Sequence, residues 1–470
     1  MTAIVENLVQ ALGSGTVLVG DEVPERNRDD WSGLPETSPL AVVRPRTTAE
    51  VATALRLCHA AGVAVVPQGG LTGLVGGGRA GSEEVALSLE RMTGIEEIDP
   101  ATATMTVWAG TPLEVVQNAA ADAGFFFALD LGARGSCAIG GNLSTNAGGN
   151  RVIRYGMTRD MVLGLEVVLP DGTVMTSLNK LIKNNAGYDL KQLFIGAEGT
   201  LGIITRVVLR LYPKPATVAA AFCGLADYAA VLRLLQSARQ SLGAGLSAFE
   251  VMWHEFYDLI TAKATGVRAP LAGKHRMYVL LEAHGVDDGD AERVETFLGR
   301  MLEEGVIEDA AVARSTAQVK AFWAVRDAVA EYDVMLGSTI GFDIGLVVTR
   351  MDEYVQACRA AIAARWPGAY SDYFGHVGDG NIHINVHVPG ADPQPKAEVE
   401  ALVYGLVRDF GGTISAEHGI GTRKQTYLGY TRNPVELALM ATLKKAIDPR
   451  NILNPGKLIP PAVLERVHGG

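Results

Sequence analysis

The chain has 470 residues, of which 48% are hydrophobic and 20% are charged, and 54 are glycines. This length exceeds what one hydrophobic core usually supports, and the composition excludes disordered and fibrous proteins. The net charge of -11, without a cluster of Lys and Arg, argues against a nucleic-acid surface, so an anionic substrate must be met by a few local cations.

The start of the chain and its cysteines bear on its location. The first twenty residues contain no Lys or Arg, which argues against a secretory signal and an Arg-rich transit peptide. No apolar run approaches about 18 residues, so no membrane span is predicted. Four scattered cysteines without CxxC spacing indicate reduced thiols. We expect a cytoplasmic protein.

Helices and strands alternate along the predicted first domain. A helix begins at Thr47, with Glu50 three residues later as in a capping box. The segment LYPKP breaks the alternation, so a domain boundary is placed after residue 215. The strands expected from periodicity are 41–43, 63–66, 85–89, 106–109 and 163–172, and the next helix is 112–123.

The rest of the chain predicts an α+β cap over 216–420 and a C-terminal segment, 421–470, that returns to the first domain. The final loop, DPRNILNPGKLIP, is too rich in proline and asparagine for a regular element. The periodicity predicts helices at 226–242, 289–304, 350–365 and 434–447, and a strand at 277–282.

A glycine-rich loop, VVPQGGLTGLVGGGRAG at residues 65–81, contains a match to the dinucleotide expression GxGxxG. A dinucleotide fingerprint ends a strand and begins a helix, whereas a strand-like run follows here, so this interpretation is rejected. No GKS or GKT of a nucleotide P-loop is present either. A glycine-rich loop between two strands instead lets backbone N–H groups approach an anion or a flat ring.

Two further glycine-rich stretches, residues 129–160 and 187–205, indicate a long cofactor with a diphosphate and an aromatic ring. The motifs PQGGLTG, IGGNLSTNAGG with RYG, and AEGTLGIIT resemble, in this order, the FAD-binding domain of the vanillyl-alcohol oxidase and p-cresol methylhydroxylase superfamily. The first loop has no histidine and His59 lies in the preceding helix, so the resemblance implies non-covalent FAD. The residues it implies are Pro67, Gly69, Gly70, Leu71, Thr72, Gly73, Ser136, Gly140, Gly141, Asn142, Gly148, Tyr155, Gly156, Glu198, Gly199, Ile203 and Asn454.

A histidine-rich hairpin is predicted from GHVGDGNIHINVHV, residues 375–388. Asp379-Gly380 is typical of a two-residue type I′ turn, and this register pairs His376 with His383 across two strands. Two opposed imidazoles can share one metal ion, although a pair of hydrogen-bonded histidines in a sheet is the alternative. Asn385 lies on the same face, His387 is expected to support it, and Ile382, Ile384, Val386 and Val388 point to the core.

A hairpin supplies only two ligands, and AEHGIG contains an acid and a histidine, which are weak evidence alone. Together with GHVGDGNIHINV and DPRNILNPGK, it resembles the C-terminal domain of FAD-linked 2-hydroxy acid dehydrogenases, the group of D-lactate, D-2-hydroxyglutarate and glycolate dehydrogenases. The resemblance implies His376, His383 and Glu417 as ligands of Zn, Mn or Fe, and His418 as the base. It also places Arg326, three residues after Trp323, on the substrate carboxylate. Asn385 is expected to take part in catalysis.

The implied activity is oxidation of a D-2-hydroxy acid by hydride transfer to flavin, in an α+β protein with a two-subdomain FAD-binding domain and a substrate cap. Hydroxyglutarate-type relatives often have Lys-Tyr-Asp where this chain has Gly341, Phe342 and Asp343. The missing lysine favours a small or apolar side chain, as in D-lactate, with D-2-hydroxyglutarate as the alternative.

The rival functions are a non-redox FAD enzyme, as in ether-lipid synthases, and a flavin-binding module without catalysis. The electron acceptor is expected to be an electron-transfer flavoprotein, a cytochrome or a quinone. A homodimer is expected from relatives alone.

Overall fold

The computed structural model describes residues 2–287 and 289–466. The chain forms two compact units. The first comprises 2–148, 157–214 and 417–466, and the second comprises 149–156 and the described part of 215–416. No helix among the described residues is long and apolar enough to cross a membrane.

Helices and strands are numbered here in chain order through both units. The strands are β1 Val17–Leu18, β2 Ala41–Val43, β3 Val65–Gln68, β4 Val85–Ser88, β5 Ile95–Asp99, β6 Thr104–Trp108, β7 Phe125–Phe126, β8 Val162–Val168, β9 Val174–Ser177, β10 Ile203–Arg210, β11 Tyr212–Pro213, β12 Thr217–Leu225, β13 Leu246–Trp253, β14 Met277–Gly285, β15 Asp309–Val312, β16 Ile340–Gly345, β17 Tyr370–Gly375 and β18 Asn381–His387. The helices are α1 Ala3–Leu12, α2 Thr48–Ala61, α3 Leu113–Asp122, α4 Ile139–Ser144, α5 Val152–Tyr155, α6 Lys191–Phe194, α7 Tyr228–Leu242, α8 His254–Lys263, α9 Gly289–Glu303, α10 Thr316–Asp327, α11 Tyr332–Met335, α12 Met351–Arg365, α13 Lys396–Asp409, α14 Leu428–Thr431, α15 Pro434–Ile447 and α16 Pro461–Arg466.

The first unit contains a four-stranded sheet, β1-β2-β4-β3, and a five-stranded sheet, β5-β6-β10-β8-β9. Strand β4 runs parallel to both β2 and β3, and all four of its residues are buried. Helix α2 connects β2 to β3 and begins as predicted, because the Thr47 side chain accepts a hydrogen bond from the Glu50 N–H. The C-terminal segment lies beside β3, where Val65 N–H donates to the Ile452 carbonyl at 2.7 Å.

The second unit is built on a seven-stranded antiparallel sheet, β15-β12-β14-β13-β17-β18-β16. Ile382, Ile384 and Val386 of β18 are fully buried on one face, as the alternation predicts. On the opposite face, α8 and α10 pack over an aromatic and aliphatic cluster around Phe222, Tyr278 and Phe374.

The predicted α2, α3, α7, α9, α12 and α15 are confirmed to within about two residues, and β3 begins two residues later than expected. The units part between Lys214 and Pro215, next to the predicted boundary. Two short segments differ from the prediction: 149–156 belongs to the second unit, and 417–420 belongs to the first. The first difference has a clear cause, because Arg151 pairs with the buried Glu282 of β14 at 3.0 Å.

Candidate active site

The first two glycine-rich stretches meet in the first unit through close backbone contact. A Cβ on Gly70 would overlap the Ser136 carbonyl oxygen and lie 2.6 Å from Cys137 Cα. Gly140 N–H donates to the Ala109 carbonyl at 2.7 Å, at the start of α4. A Cβ on Gly69 would lie 3.6 Å from Gly141 Cα. The predicted cofactor residues around these positions are therefore brought together by main chain.

The third stretch joins the same region through a strained turn. Glu198 has a positive φ of 51°, and a Cβ on Gly199 would overlap Pro67 Cγ. The Glu198 carboxylate accepts hydrogen bonds from the N–H groups of Ile420 and Gly421, at 2.8 and 2.7 Å. Burial raises the pKa of Glu198, although these two donors oppose the shift.

Asn454, one of the predicted cofactor residues, holds this turn from the C-terminal segment. Its side-chain N–H group donates to the carbonyl oxygens of Glu198 and Gly77, at 2.8 and 3.0 Å. The buried side-chain oxygens of Asn454 and Asn142 have no hydrogen-bond partner among the described residues. Buried acceptors normally receive a hydrogen bond, so these two oxygens fit a ligand that carries donors, as the ribityl and flavin groups of FAD do.

Two predicted cofactor residues, Tyr155 and Gly156, belong to the second unit. The Tyr155 hydroxyl lies 3.1 Å from His284 Nδ1, and Gly156 closes helix α5 through its N–H group. The tyrosine is therefore engaged by the sheet of the second unit. Gly148 and Ile203 remain in the first unit, where a Cβ on Gly148 would lie 2.6 Å from Glu417 Oε1.

The predicted hairpin register is wrong by two residues. Strand β17 ends at Gly375, and Phe374, not His376, is the cross-strand partner of His383. Residues 376–380 form a five-residue connection, in which the His376 carbonyl accepts from the N–H groups of Asp379 and Asn381. His376 leaves the ladder because its ring bonds to Glu250 of β13.

The two histidines nevertheless come together, because His376 directly follows the end of β17 beside His383 of β18. The ring centroids of His376 and His383 are 5.5 Å apart, with the rings nearly perpendicular. Each nitrogen would bind a metal at about 2.0–2.1 Å, so both rings can reach one ion. These two residues fit the predicted metal site.

His376 forms a buried network with Glu250 and Arg326. His376 Nδ1 lies 2.5 Å from Glu250 Oε1, Arg326 Nε donates to Glu250 Oε2 at 3.2 Å, and Arg326 Nη2 lies 3.0 Å from His376 Nε2. Burial alone would raise the pKa of Glu250, but His376 and Arg326 outweigh it and hold the pKa below its ordinary value. The carboxylate is therefore a stable anion inside the sheet.

Glu250 belongs to an acidic row that crosses one face of the sheet: Glu282, Glu250, Asp372 and Asp343, one on each of β14, β13, β17 and β16. The strand register places all four on the face of His383. Every member is buried. Their donors include Trp323 and Arg151 for Glu282, Arg326 for Glu250, Tyr332 and Asn385 for Asp372, and Asn381 and Ser415 for Asp343.

Two members of the acidic row, Glu282 at one end and Asp372 in the interior, differ in how readily they ionise. Burial would raise the pKa of Glu282, but the hydrogen bond from His284 and the charge of Arg151 hold it at about 2. Burial raises the pKa of Asp372 to about 6, because its partners are neutral side chains.

Asn385, the predicted catalytic amide, is oriented by Asp372. Its Nδ2 donates to Asp372 Oδ1 at 3.1 Å, and a Cβ on Gly341 would lie 3.4 Å from its Oδ1. Gly341 is the cross-strand partner of Asn385, on the His383 face. His387 lies further along this face, with Nδ1 3.0 Å from the Ser338 carbonyl.

Glu417 and His418 are half-buried residues at the start of the C-terminal segment of the first unit. Their assignment as third ligand and base stays a prediction. The sequence reasoning missed the acidic row. A signal was available, because each acid interrupts an apolar strand, in SAFEVMW, YVLLEAH, IGFDIG and YSDYFG.

Comparison with known proteins agrees with both units. Residues 39–177 match the family described as "FAD binding domain", and residues 214–458 match "FAD linked oxidases, C-terminal domain". The D-2-hydroxyglutarate dehydrogenase, mitochondrial, of Bos taurus is 42% identical over 448 residues, which cover 95% of this chain and 81% of that protein. The D-2-hydroxyglutarate dehydrogenase of Xanthomonas citri pv. viticola is 38% identical over 434 residues, 91% of each chain.

Among solved structures, p-cresol methylhydroxylase with substrate bound superposes with a TM-score of 0.76 at 17% identity. The match covers 97% of this chain and 96% of that one. At this identity the similarity shows the fold alone.

Proposed function

This chain belongs to the FAD-linked 2-hydroxy acid dehydrogenases of the vanillyl-alcohol oxidase fold and is an oxidoreductase acting on CH–OH, and on that premise we propose that it oxidises D-2-hydroxyglutarate to 2-oxoglutarate. The similarity to D-2-hydroxyglutarate dehydrogenases over nearly the whole chain carries this proposal. The His376–Glu250–Arg326 network supports it with a cation and an imidazole for a hydroxy acid.

Bound FAD would supply the hydride acceptor, and the three glycine-rich stretches with Asn142, Glu198 and Asn454 would hold it. A divalent metal on His376, His383 and, by prediction, Glu417 would lower the pKa of the substrate hydroxyl. Arg326 binds the substrate carboxylate, for which a guanidinium offers two parallel N–H donors. His418 accepts the hydroxyl proton. Asn385, oriented by Asp372, presents its amide oxygen beside Gly341.

A second candidate substrate is a D-2-hydroxy acid with a small or apolar side chain, such as D-lactate. The observation that favours it is Gly341, which lies on the His383 face and carries no cation for a distal carboxylate. The nearest polar atom to its missing Cβ is an acceptor, Asn385 Oδ1, which would repel a second carboxylate.

The test is anaerobic stopped-flow of the purified flavoprotein against paired D- and L-2-hydroxy acids, with flavin absorbance as the readout. Bleaching by D-2-hydroxyglutarate with a higher kcat/KM than by D-lactate supports the main proposal, and the reverse order supports the second. L-enantiomers are the matched control and should not bleach the flavin. If no hydroxy acid bleaches a protein loaded with FAD and metal, the dehydrogenase proposal fails and a non-redox flavin enzyme replaces it.

The remaining parts of the proposal come from the sequence. The FAD is non-covalent, the metal is Zn, Mn or Fe, and the electrons leave to an electron-transfer flavoprotein, a cytochrome or a quinone. We also propose a cytoplasmic homodimer, although several relatives carry "mitochondrial" in their names. Acid release of the flavin, metal analysis and light scattering test these points.

A further inference from the structure

The two ring nitrogens of His376 have partners of opposite kind. Nδ1 faces the Glu250 carboxylate at 2.5 Å, and Nε2 faces Arg326 Nη2 at 3.0 Å. A carboxylate can only accept a hydrogen bond, and a guanidinium can only donate one. These partners place a proton on Nδ1 of His376 and a lone pair on Nε2.

The lone pair on Nε2 is the one that a metal would use. A metal-binding histidine usually donates its other N–H to a carboxylate, which fixes the ring and raises its basicity. Glu250 meets this requirement and is itself held inside the sheet, only 1% exposed. In this structure, however, an N–H of Arg326 occupies the lone pair.

We infer that Arg326 and the metal ion compete for the Nε2 lone pair of His376, and that Glu250 is the positioning residue that keeps this lone pair available. The inference rests on the metal part of the proposed function. One lone pair cannot accept from a guanidinium and bind a cation at once. Metal binding therefore displaces Arg326 Nη2 from His376.

The displaced arginine does not leave the site. Its Nε bond to Glu250, at 3.2 Å, involves the other carboxylate oxygen and survives the exchange. The guanidinium also lies over the Phe374 ring, with its central carbon 5.4 Å from the ring centroid. The edge that carries Nη2 then becomes available to a substrate carboxylate, so the carboxylate site is completed only when metal is bound.

The direct test is the reactivity of Arg326 with phenylglyoxal, measured by peptide mass spectrometry on the flavoprotein with and without Zn²⁺. Arg359 is a matched internal control, because it also pairs with a glutamate, Glu255 at 2.8 Å, and lies 5.4 Å from the Tyr373 ring. Zn²⁺ is expected to raise the modification of Arg326 several-fold and to leave Arg359 unchanged. An unchanged or slower modification of Arg326 in Zn²⁺-loaded protein overturns the inference.

Metal affinity gives the second measurement, by equilibrium dialysis against Zn²⁺ with metal analysis. Glu250→Gln is expected to bind Zn²⁺ about 10–100-fold more weakly than the parent, the usual cost of losing such an orienting carboxylate. Glu255→Gln, which leaves the His376 network intact, is the matched control and should bind as the parent does. If folded Glu250→Gln and the parent bind Zn²⁺ with equal affinity, Glu250 is not a positioning residue.

The two proposals fail differently. If the protein binds none of Zn²⁺, Mn²⁺ and Fe²⁺, both the metal part of the proposed function and the inferred competition fail. If the protein binds metal and a hydroxy acid bleaches its flavin, but the modification of Arg326 does not depend on metal, the proposed function stands and only the competition fails.

Discussion

The two units offer ligands different kinds of surface. In the first unit, the glycine-rich stretches meet through main chain, as Gly70 shows against Ser136 and Cys137. In the second unit, the acidic row and its partners meet through side chains that satisfy one another, as Glu250 does with His376 and Arg326. A site formed by main chain is disrupted when a side chain is added to it, whereas a site formed by side chains is disrupted when one of them is removed. Each kind of site therefore has its own most damaging substitution.

The largest effect is expected from Gly70→Ala in the first unit. The new Cβ would overlap the Ser136 carbonyl and lie 2.6 Å from Cys137 Cα, and main chain cannot move aside as a side chain does. Overpacking of this kind should lower the free energy of unfolding by about 3 kcal/mol or more. Flavin content, from the visible absorbance relative to protein, should fall to near zero.

The matched control for stability is Gly73→Ala in the same loop, where a Cβ would meet nothing within 4 Å. Its free energy of unfolding should change by no more than about 0.5 kcal/mol. Equal stability of the two variants would contradict a site built from close main-chain contacts.

The next effect concerns Asp372 in the acidic row and depends on pH. Burial raises its pKa to about 6, above its ordinary value of 3.8, so the folded state holds the proton more tightly than the unfolded state. The stabilisation is complete below about pH 4 and is lost as the pH rises through about 6. Between these limits the parent should lose on the order of 3 kcal/mol relative to Asp372→Asn, which cannot titrate there.

Urea unfolding of both proteins across this pH range measures the difference. Its slope is diagnostic, because a lost hydrogen bond in Asp372→Asn would add only a constant offset. A difference between parent and variant that does not change with pH would show that Asp372 is not a buried acid with neutral partners.

A smaller effect is expected from Gly341→Lys, which adds a cation on the His383 face. A hydrogen bond from a charged group contributes about 1.5–3 kcal/mol, so the ratio of kcat/KM for D-2-hydroxyglutarate to that for D-lactate should rise by about tenfold or more. Gly299→Lys on α9, where a Cβ meets nothing within 4 Å, controls for the added charge. An unchanged ratio would mean that the distal carboxylate does not reach residue 341.

The sequence predicted the local elements better than their pairing. Helix α2 could be placed because Thr47 and Glu50 form its start by themselves. The register of His376 could not be predicted. The pair Asp379-Gly380 favours a two-residue turn, but the ring of His376 bonds to Glu250, 126 residues earlier in the chain. The donors of the acidic row were likewise hidden, since Trp323 and Arg326 meet Glu282 and Glu250 only after helix and sheet pack together.

The smallest effect is expected from Leu71→Gly, which removes a side chain from the main-chain site. Leu71 has a φ of 58°, a conformation that costs a residue with a Cβ about 1–2 kcal/mol. Glycine removes this strain, but it lowers the free energy of unfolding by about 0.5–1 kcal/mol because it has more conformational freedom in the unfolded chain. The free energy of unfolding should therefore change by less than about 1 kcal/mol.

Leu74→Gly, in the same loop but without a positive φ, has no strain to relieve and should be the less stable variant. Flavin should remain bound to Leu71→Gly, because the backbone conformation that holds the loop is kept; its loss would show that this side chain, and not only main chain, forms the cofactor site.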